Sequence, residues 1–359
     1  ILPDSGDMAA DGNEPNSGRQ GGYAVFVAGA LPGESVKVVI TKALKNYAFG
    51  KLLETMEASP ERVQAPCPVA AQCGGCSMQH LRYSAQLKAK HQYVVDSLRK
   101  IGGFDEELED ECFVVEPTIG MEDPWRYRNK SQMPFTRGAG GRIEYGFYRV
   151  GSHEVVPTAE CLIQDVVADR VVSIVREFAM KEGLAVYDEA KGQGLLRHVM
   201  TRVGKKTGEV MVVLVLNGQE LQGEERLVSE LRKQLQENQR TSMYTLSSVV
   251  INTNTKSTNV VLGKHNRVIY GKDFITDKIG KFVFKISPLS FFQVNTVQTN
   301  LLYEKAMEFA ALDGGETVID AYCGAGTISL FLSQKAKKVI GVEIVEPAVL
   351  DARENAKRN

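Results

Sequence analysis

Three cysteines lie within one ten-residue stretch, Cys67-x5-Cys73-x2-Cys76, and Cys161 follows much later in the chain. Thiolates are soft ligands, and four of them suit either a tetrahedral zinc ion or a cubane iron–sulfur cluster. Zinc sites more often use two close pairs, so a three-plus-one arrangement favours the cluster. The spacing also differs from the C-x3-C-x2-C of radical enzymes, whose cluster keeps one iron open. A fourth thiolate would close the site and make its role structural or sensory. Gly74-Gly75 removes side chains where the backbone has to fold around a large group. The bland alternative is three buried cysteines beside a turn, and spacing alone does not assign Cys161 as the fourth ligand. Cys112 is isolated and reads as a core residue. The five histidines, His80, His91, His153, His198 and His265, show no ligand spacing.

A second constellation is Asp320-Ala-Tyr-Cys-Gly-Ala-Gly-Thr. An acidic residue ends an apolar strand, and Gly324 and Gly326 let the chain turn close to a ligand before a helix. Glu343 ends the next strand, 19 residues after Gly324. There its carboxylate can accept hydrogen bonds from both hydroxyls of a ribose. A nicotinamide dinucleotide site has similar geometry, but its fingerprint needs a third glycine for close helix packing, and Ser329 stands there. The pattern therefore favours S-adenosylmethionine, which has no pyrophosphate to seat on the helix. Cys323 is no nucleophile on this reading, because a residue in the cofactor turn faces the cofactor and not a base.

These residues need elements to hold them. Residues 1–18 read as disordered. From Gly22 to Met56 the pattern is short strands: Tyr23–Ala28, Ser35–Ile40 after the Pro32-Gly33 turn, and Lys51–Glu54 as a fourth element after Asn46–Gly50. That spells a small β-barrel. Lys37, Lys42, Lys45 and Lys51 alternate with Tyr47 and Phe49, a pattern suited to single-stranded nucleic acid and equally to ordinary solvated strand faces. Ser77 can cap a helix running to Gly102-Gly103. Strands follow at 130–135, 143–150, 199–203, 210–216, 249–253 and 259–262, with helices at 164–182 and 222–238. A helix from Gln293 to Phe309 precedes a β-α-β-α run that stops at Asn359. Two strands cannot close a doubly wound domain, so the native chain is expected to continue. The fold class is α/β multidomain. Residues 1–60 read as a small OB-like barrel and 61–285 as a mixed α/β domain with the cysteine site. Residues 286–359 read as the opening of a doubly wound domain.

Composition narrows the classes. With 43 Lys and Arg against 44 Asp and Glu, the net charge is −1, so any nucleic-acid site is a local basic patch. Trp125-Arg-Tyr-Arg-Asn-Lys130 offers one, or else a solvated strand edge pinned by a single tryptophan. No apolar run is long enough to span a membrane. The start lacks the basic head and apolar stretch of a signal peptide, and it lacks a Met, which reads as a trimmed product. A cytoplasmic, reducing setting follows, with metal ligation or burial as the default for the cysteines. No obligate protein partner is evident.

Taken together, these residues resemble the RNA 5-methyluridine methyltransferase family, closest to its 23S ribosomal RNA members. The resemblance covers nearly the whole chain. Residues 1–60 resemble a TRAM domain whose first loop, Asn13–Gly18, departs from the family's compact turn. Cys67, Cys73, Cys76 and Cys161 match the family's four ligands of a [4Fe-4S] cluster. Ser287-Pro-Leu-Ser-Phe-Phe-Gln-Val-Asn matches its signature ahead of the cofactor domain. The resemblance implies that Gln293, Tyr322, Thr327 and Glu343 contact S-adenosylmethionine and that Arg126, Arg128 and Lys130 contact RNA. It implies methylation of uridine C5. A cysteine adds to C6, C5 attacks the methyl group, and a carboxylate takes the C5 proton. Such a uracil must be unstacked. The nucleophilic Cys, the base Glu and an Asp-Pro-Pro motif have no match within 1–359 and are expected beyond Asn359, so this stretch alone should be catalytically inert. The family's main tRNA branch generally lacks both barrel and cluster, which favours 23S ribosomal RNA over tRNA. The competing readings are a non-catalytic RNA-binding Fe–S protein and a nicotinamide-dependent Fe–S oxidoreductase.

Overall fold

The computed structural model describes residues 23–104 and 113–359. The expectations for residues 1–18, for the Asn13–Gly18 loop and for Cys112 fall outside them. The chain divides into two compact units, one of residues 1–70 with 76–120 and one of residues 71–75 with 121–359.

In the first unit, β1 (Ala24–Ala28), β2 (Ser35–Ala43) and β3 (Tyr47–Glu57) form a sheet in the order β1-β3-β2. The sequence reading split Tyr47–Phe49 from Lys51–Glu54, but they belong to one strand of 11 residues. Gly50 lets the strand run on, since a Cβ there would press on Val25 and Val27 at 3.3 Å. Glu34 accepts hydrogen bonds from Arg62 and from the backbone of Leu31 and Ser59, tying the sheet to the segment after it. The helix α1 (Tyr83–Ser97) is capped by Arg82 without a side-chain bond. Ser77 is therefore not the cap. The chain before the helix is pinned by a bridge between Arg62 and Leu81, and the helix runs into a π-helical turn at Leu98–Gly102.

The second unit is built on a seven-stranded sheet. Its strands are β4 (Lys130–Arg137), β5 (Ile143–Tyr148), β6 (Val155–Pro157), β7 (Leu196–Val203), β8 (Glu209–Leu216), β9 (Thr245–Thr253) and β10 (His265–Gly271). They lie in the order β10-β9-β8-β7-β4-β5-β6. Two helices cover one face. The first, α2 (Val166–Lys181), starts at Asp165, whose side chain accepts from the Val167 N–H. It buries Val171, Val175 and Phe178 at helical spacing. The second, α3 (Glu224–Glu237), buries Leu227, Leu231 and Leu235, four residues apart.

The central strand β8 explains its own unbroken apolar run. Val210, Val212, Leu214 and Leu216 face the helices, while Met211 and Val213 join a second core on the other face. That core includes the hairpin β11 (Ile275–Ile279) and β12 (Phe282–Ile286), with Phe292, Tyr303 and Phe331. Residues 259–262 are not a strand. Asn254 donates its amide to the carbonyls of Val260 and Val261, and Asn252 holds Gly263 from both sides, so side chains take the place of a ladder.

The last elements are α4 (Thr296–Ala310), β13 (Thr317–Asp320), α5 (Thr327–Leu332), β14 (Lys338–Gly341) and α6 (Glu346–Arg358). β13 and β14 pair in parallel, Asp320 opposite Gly341. Asn355, at 0 % exposure, donates to the Ala325 carbonyl and accepts from the Lys285 N–H, so α6 clasps both the turn and the hairpin.

Candidate cofactor site and cysteine loop

The turn after β13 is shaped by glycine. Gly324 and Gly326 both have positive φ, 53° and 77°, a backbone region costly for other L-residues. A Cβ on Gly324 would meet nothing within 4 Å, so the turn is open on that side. The turn is stitched to β14: Cys323 donates its N–H to Val342, and Val342 donates to Asp320.

Glu343 sits where β14 ends, and its carboxylate accepts three backbone N–H bonds. Gly324 donates to one oxygen at 3.0 Å, and Ile344 and Val345 donate to the other at 2.8 Å each. The Val345 N–H, with those of Gly324 and Ile344, holds this carboxyl below the ordinary glutamate range. It is an ionised acceptor at neutral pH. A carboxylate has about four lone-pair sites. With three taken, accepting both ribose hydroxyls requires it to release one backbone bond.

Asp320 accepts from the Ser329 hydroxyl at 2.5 Å. The position where a dinucleotide fold would need glycine thus carries a working side chain, bound to the acid that ends the strand. Thr327 opens α5, its hydroxyl 2.7 Å from that of Tyr303. Tyr322 is 92 % exposed beside the turn. Gln293 lies in the segment before α4 and is fixed there through its carbonyl, which accepts from Asn129. In the same segment Ser290 bonds Asp351, and Asn295 caps α4 through the Gln298 N–H. The structure thus joins Gly324 to Glu343 and Asp320 to Ser329 directly, with no direct hydrogen bond from Gln293 to the turn. The donor set suits a sulfonium nucleoside: an open glycine turn and an anionic acceptor at the strand end.

Burial, with Asp320 and Glu343 nearby, pushes the Cys323 thiol above its ordinary pKa, which keeps it protonated. A Cβ on Gly341 would stand 2.9 Å from its sulfur, so the thiol packs on β14.

In the cysteine loop, Gly74 donates its N–H to the Tyr148 carbonyl at 2.9 Å, and a Cβ on it would lie 3.0 Å from that oxygen. Glycine is needed there for close approach. Gly75 donates to the Cys73 sulfur at 3.4 Å. Cys67 is held by its N–H to Gln79, and Cys161 by its N–H to Asp169. Among the described residues no three Cys, His, Asp or Glu side chains gather in a geometry that could hold a metal ion. The donor chemistry fits a cluster.

Arg126 departs from the expected RNA contact. Its guanidinium turns inward to Asp169, Glu160 and the carbonyls of Cys161 and Gln164. It braces the Cys161 segment instead. Lys130 lies opposite Arg202 in the β4–β7 register. Burial, then Arg202 and Arg128, lowers the Lys130 pKa. Arg202 itself is buried, pushed down to about 10, and donates to the carbonyls of Pro288 and Ser290. Sequence reasoning missed this buried arginine, because a lone Arg in a strand carries no motif.

The chain matches two family models, a TRAM domain over residues 4–53 and tRNA (Uracil-5-)-methyltransferase over residues 219–359. An RNA methyltransferase of Halalkalibacterium halodurans is 49% identical over 338 residues, covering 94% of this chain and 70% of that protein. One of Clostridium tetani is 46% identical over 342 residues, covering 95% and 71%. Among solved structures, the Pyrococcus abyssi tRNA (uracil-54, C5)-methyltransferase in complex with S-adenosyl-L-homocysteine is 26% identical with a TM-score of 0.68. It covers 93% of this chain and 72% of that one. No helix among the described residues is long and apolar enough to cross a membrane.

Proposed function

We infer the function from one premise: this chain belongs to the RNA uracil-5-methyltransferase family, in a form that carries a TRAM domain. It is an RNA methyltransferase that uses S-adenosylmethionine, and the reaction we assign is methylation of uridine C5, in the cytoplasm, with 23S ribosomal RNA as substrate. The observation that carries the cofactor assignment is the Gly324–Glu343 hydrogen bond, which sets an anionic acceptor against an open glycine turn. S-adenosylmethionine supplies an electrophilic methyl group on a sulfonium. Glu343 orients the ribose, Asp320 and Ser329 set the turn, and Tyr322, Thr327 and Gln293 complete the contacts. Arg128 and Lys130 form the basic patch for RNA, and Arg126 is left out because its charge is already answered.

The presence of the TRAM domain and the cysteine loop favours ribosomal RNA. The second reading, tRNA, is favoured by the Pyrococcus abyssi enzyme, which acts on tRNA and is similar over 93% of this chain. The product of the complete gene, given methyl-labelled S-adenosylmethionine with unmodified 23S RNA or tRNA, is expected to place label in 5-methyluridine of the ribosomal RNA. Label only in tRNA moves the assignment to tRNA. Label in neither, from protein shown to bind the cofactor, overturns the reaction.

Cys67, Cys73, Cys76 and Cys161 are the ligands we assign to a [4Fe-4S] cluster, the first three on donor type and close spacing and Cys161 on the family resemblance. Anaerobically purified protein should hold about four irons, and Cys161→Ser should lose most of them. Iron-free protein that keeps its fold and full activity would overturn this.

A further inference from the structure

One cavity in the second unit takes none of its walls from residues 286–359. It originates in the sheet. β4 pairs with β7 up to Pro134 opposite His198, and with β5 from Phe135 opposite Tyr145 onward. Beside this change of partner lies a cavity of about 610 Å³, lined also by the 185–194 and 258–261 loops. That volume lies within the range of small-ligand sites.

Its walls are flat and aromatic. The Tyr148 ring stacks on His153, centroids 5.0 Å apart and planes 21° apart, and Glu189 holds His153 in place. The Arg197 guanidinium lies 4.2 Å over the Tyr187 ring, fixed by the carbonyls of Asn254 and Lys256. Deeper in, His198 Nε2 is 3.3 Å from the Tyr148 hydroxyl. His198 Nδ1 and Arg197 Nε are buried with no hydrogen-bond partner among the described residues. An unpaired buried polar group is costly, so a ligand edge that reached His198 Nδ1 would be favoured. Burial pushes the His198 pKa down to about 4, so one ring nitrogen donates and the other accepts at neutral pH. At the rim, Arg137 and Lys191 balance Asp188 and Glu189.

A phosphate would call for an excess of cations, and a purely apolar ligand would leave His198 Nδ1 unpaired. A nucleobase is flat, neutral and polar at its edge. Proteins recognise unstacked RNA bases by such stacking and edge contacts. We propose that this cavity receives an unstacked base of the RNA other than the methylated uridine, anchoring the strand while the cofactor site acts on another nucleotide. The inference rests on the RNA methyltransferase reading.

The test is NMR of the protein carrying 13C at histidine Cε1, titrated with adenosine, with uridine and with a single-stranded hexaribonucleotide. His153 and His198 should shift with a nucleoside and with the hexamer, while His80, His91 and His265 hold their positions. Tyr148→Leu should weaken hexamer binding about tenfold, within the range measured for losing one base–aromatic stack. Tyr148→Phe, which keeps the ring, should change it little, and S-adenosylmethionine binding should match wild type in both. A hexamer that binds but moves neither His153 nor His198 overturns the base pocket and leaves the RNA reading standing. Failure to bind any RNA overturns both readings.

Discussion

Single side chains decide the proposed cofactor site. Glu343 is acceptor-only, so its three backbone bonds fix its direction at the end of β14. Glu343→Gln replaces one acceptor oxygen with an NH2 that faces N–H donors. We expect S-adenosylhomocysteine to bind about tenfold weaker or worse by calorimetry, with the melting temperature nearly unchanged. An unchanged Kd would remove Glu343 from the site. The acidic strand ends, the glycine turn and Ser329 were legible in the sequence because they are local: each neighbour is fixed by a short connection. The partners of Arg126 were hidden for the opposite reason. Its partners Glu160 and Asp169 lie 34 and 43 positions away. A basic residue beside a tryptophan looks like a nucleic-acid contact until distant carboxylates are seen to neutralise it. Tyr148, His153 and His198 were assigned nothing, since a pocket made where a strand changes partners has no motif.

The elements follow the same logic. Helices α2 and α3 match the helices read at 164–182 and 222–238. Asp165 does more than cap: its other oxygen takes Lys205 at 2.5 Å and the Tyr244 hydroxyl at 3.0 Å. Asp165→Ala should destabilise the second unit by about 2–4 kcal/mol, through the lost cap and the stranded lysine. Asp165→Asn should keep the cap and cost less. Trp125, the single tryptophan, lies in this unit, so its fluorescence in denaturant reads the change. Equal losses for the two variants would deny the cap its share. Ser77 was the wrong cap because a polar residue near a helix start matters only if the backbone turns there. β10, β11 and β12 were missed because short strands of mixed polarity, such as His265–Gly271, carry little periodicity. The 259–262 segment misled in reverse: its apolar residues look like a strand, but buried asparagines hold it as a loop.

At the scale of the molecule, a three-stranded sheet in one unit and a seven-stranded sheet with a cofactor turn in the other fit an enzyme that holds RNA and transfers a methyl group. The near-neutral charge fits local rather than global RNA contact. The claim that most needs testing is the atom that receives the methyl group. RNA transcribed with uridine tritiated at C5 is given, with S-adenosylmethionine, to the product of the complete gene, and tritium release is counted against methyl transfer. One tritium released to water per methyl group is the expected result, because C5 exchanges its hydrogen for the methyl. Methyl transfer with all the tritium retained would contradict the account and place the modification on another atom.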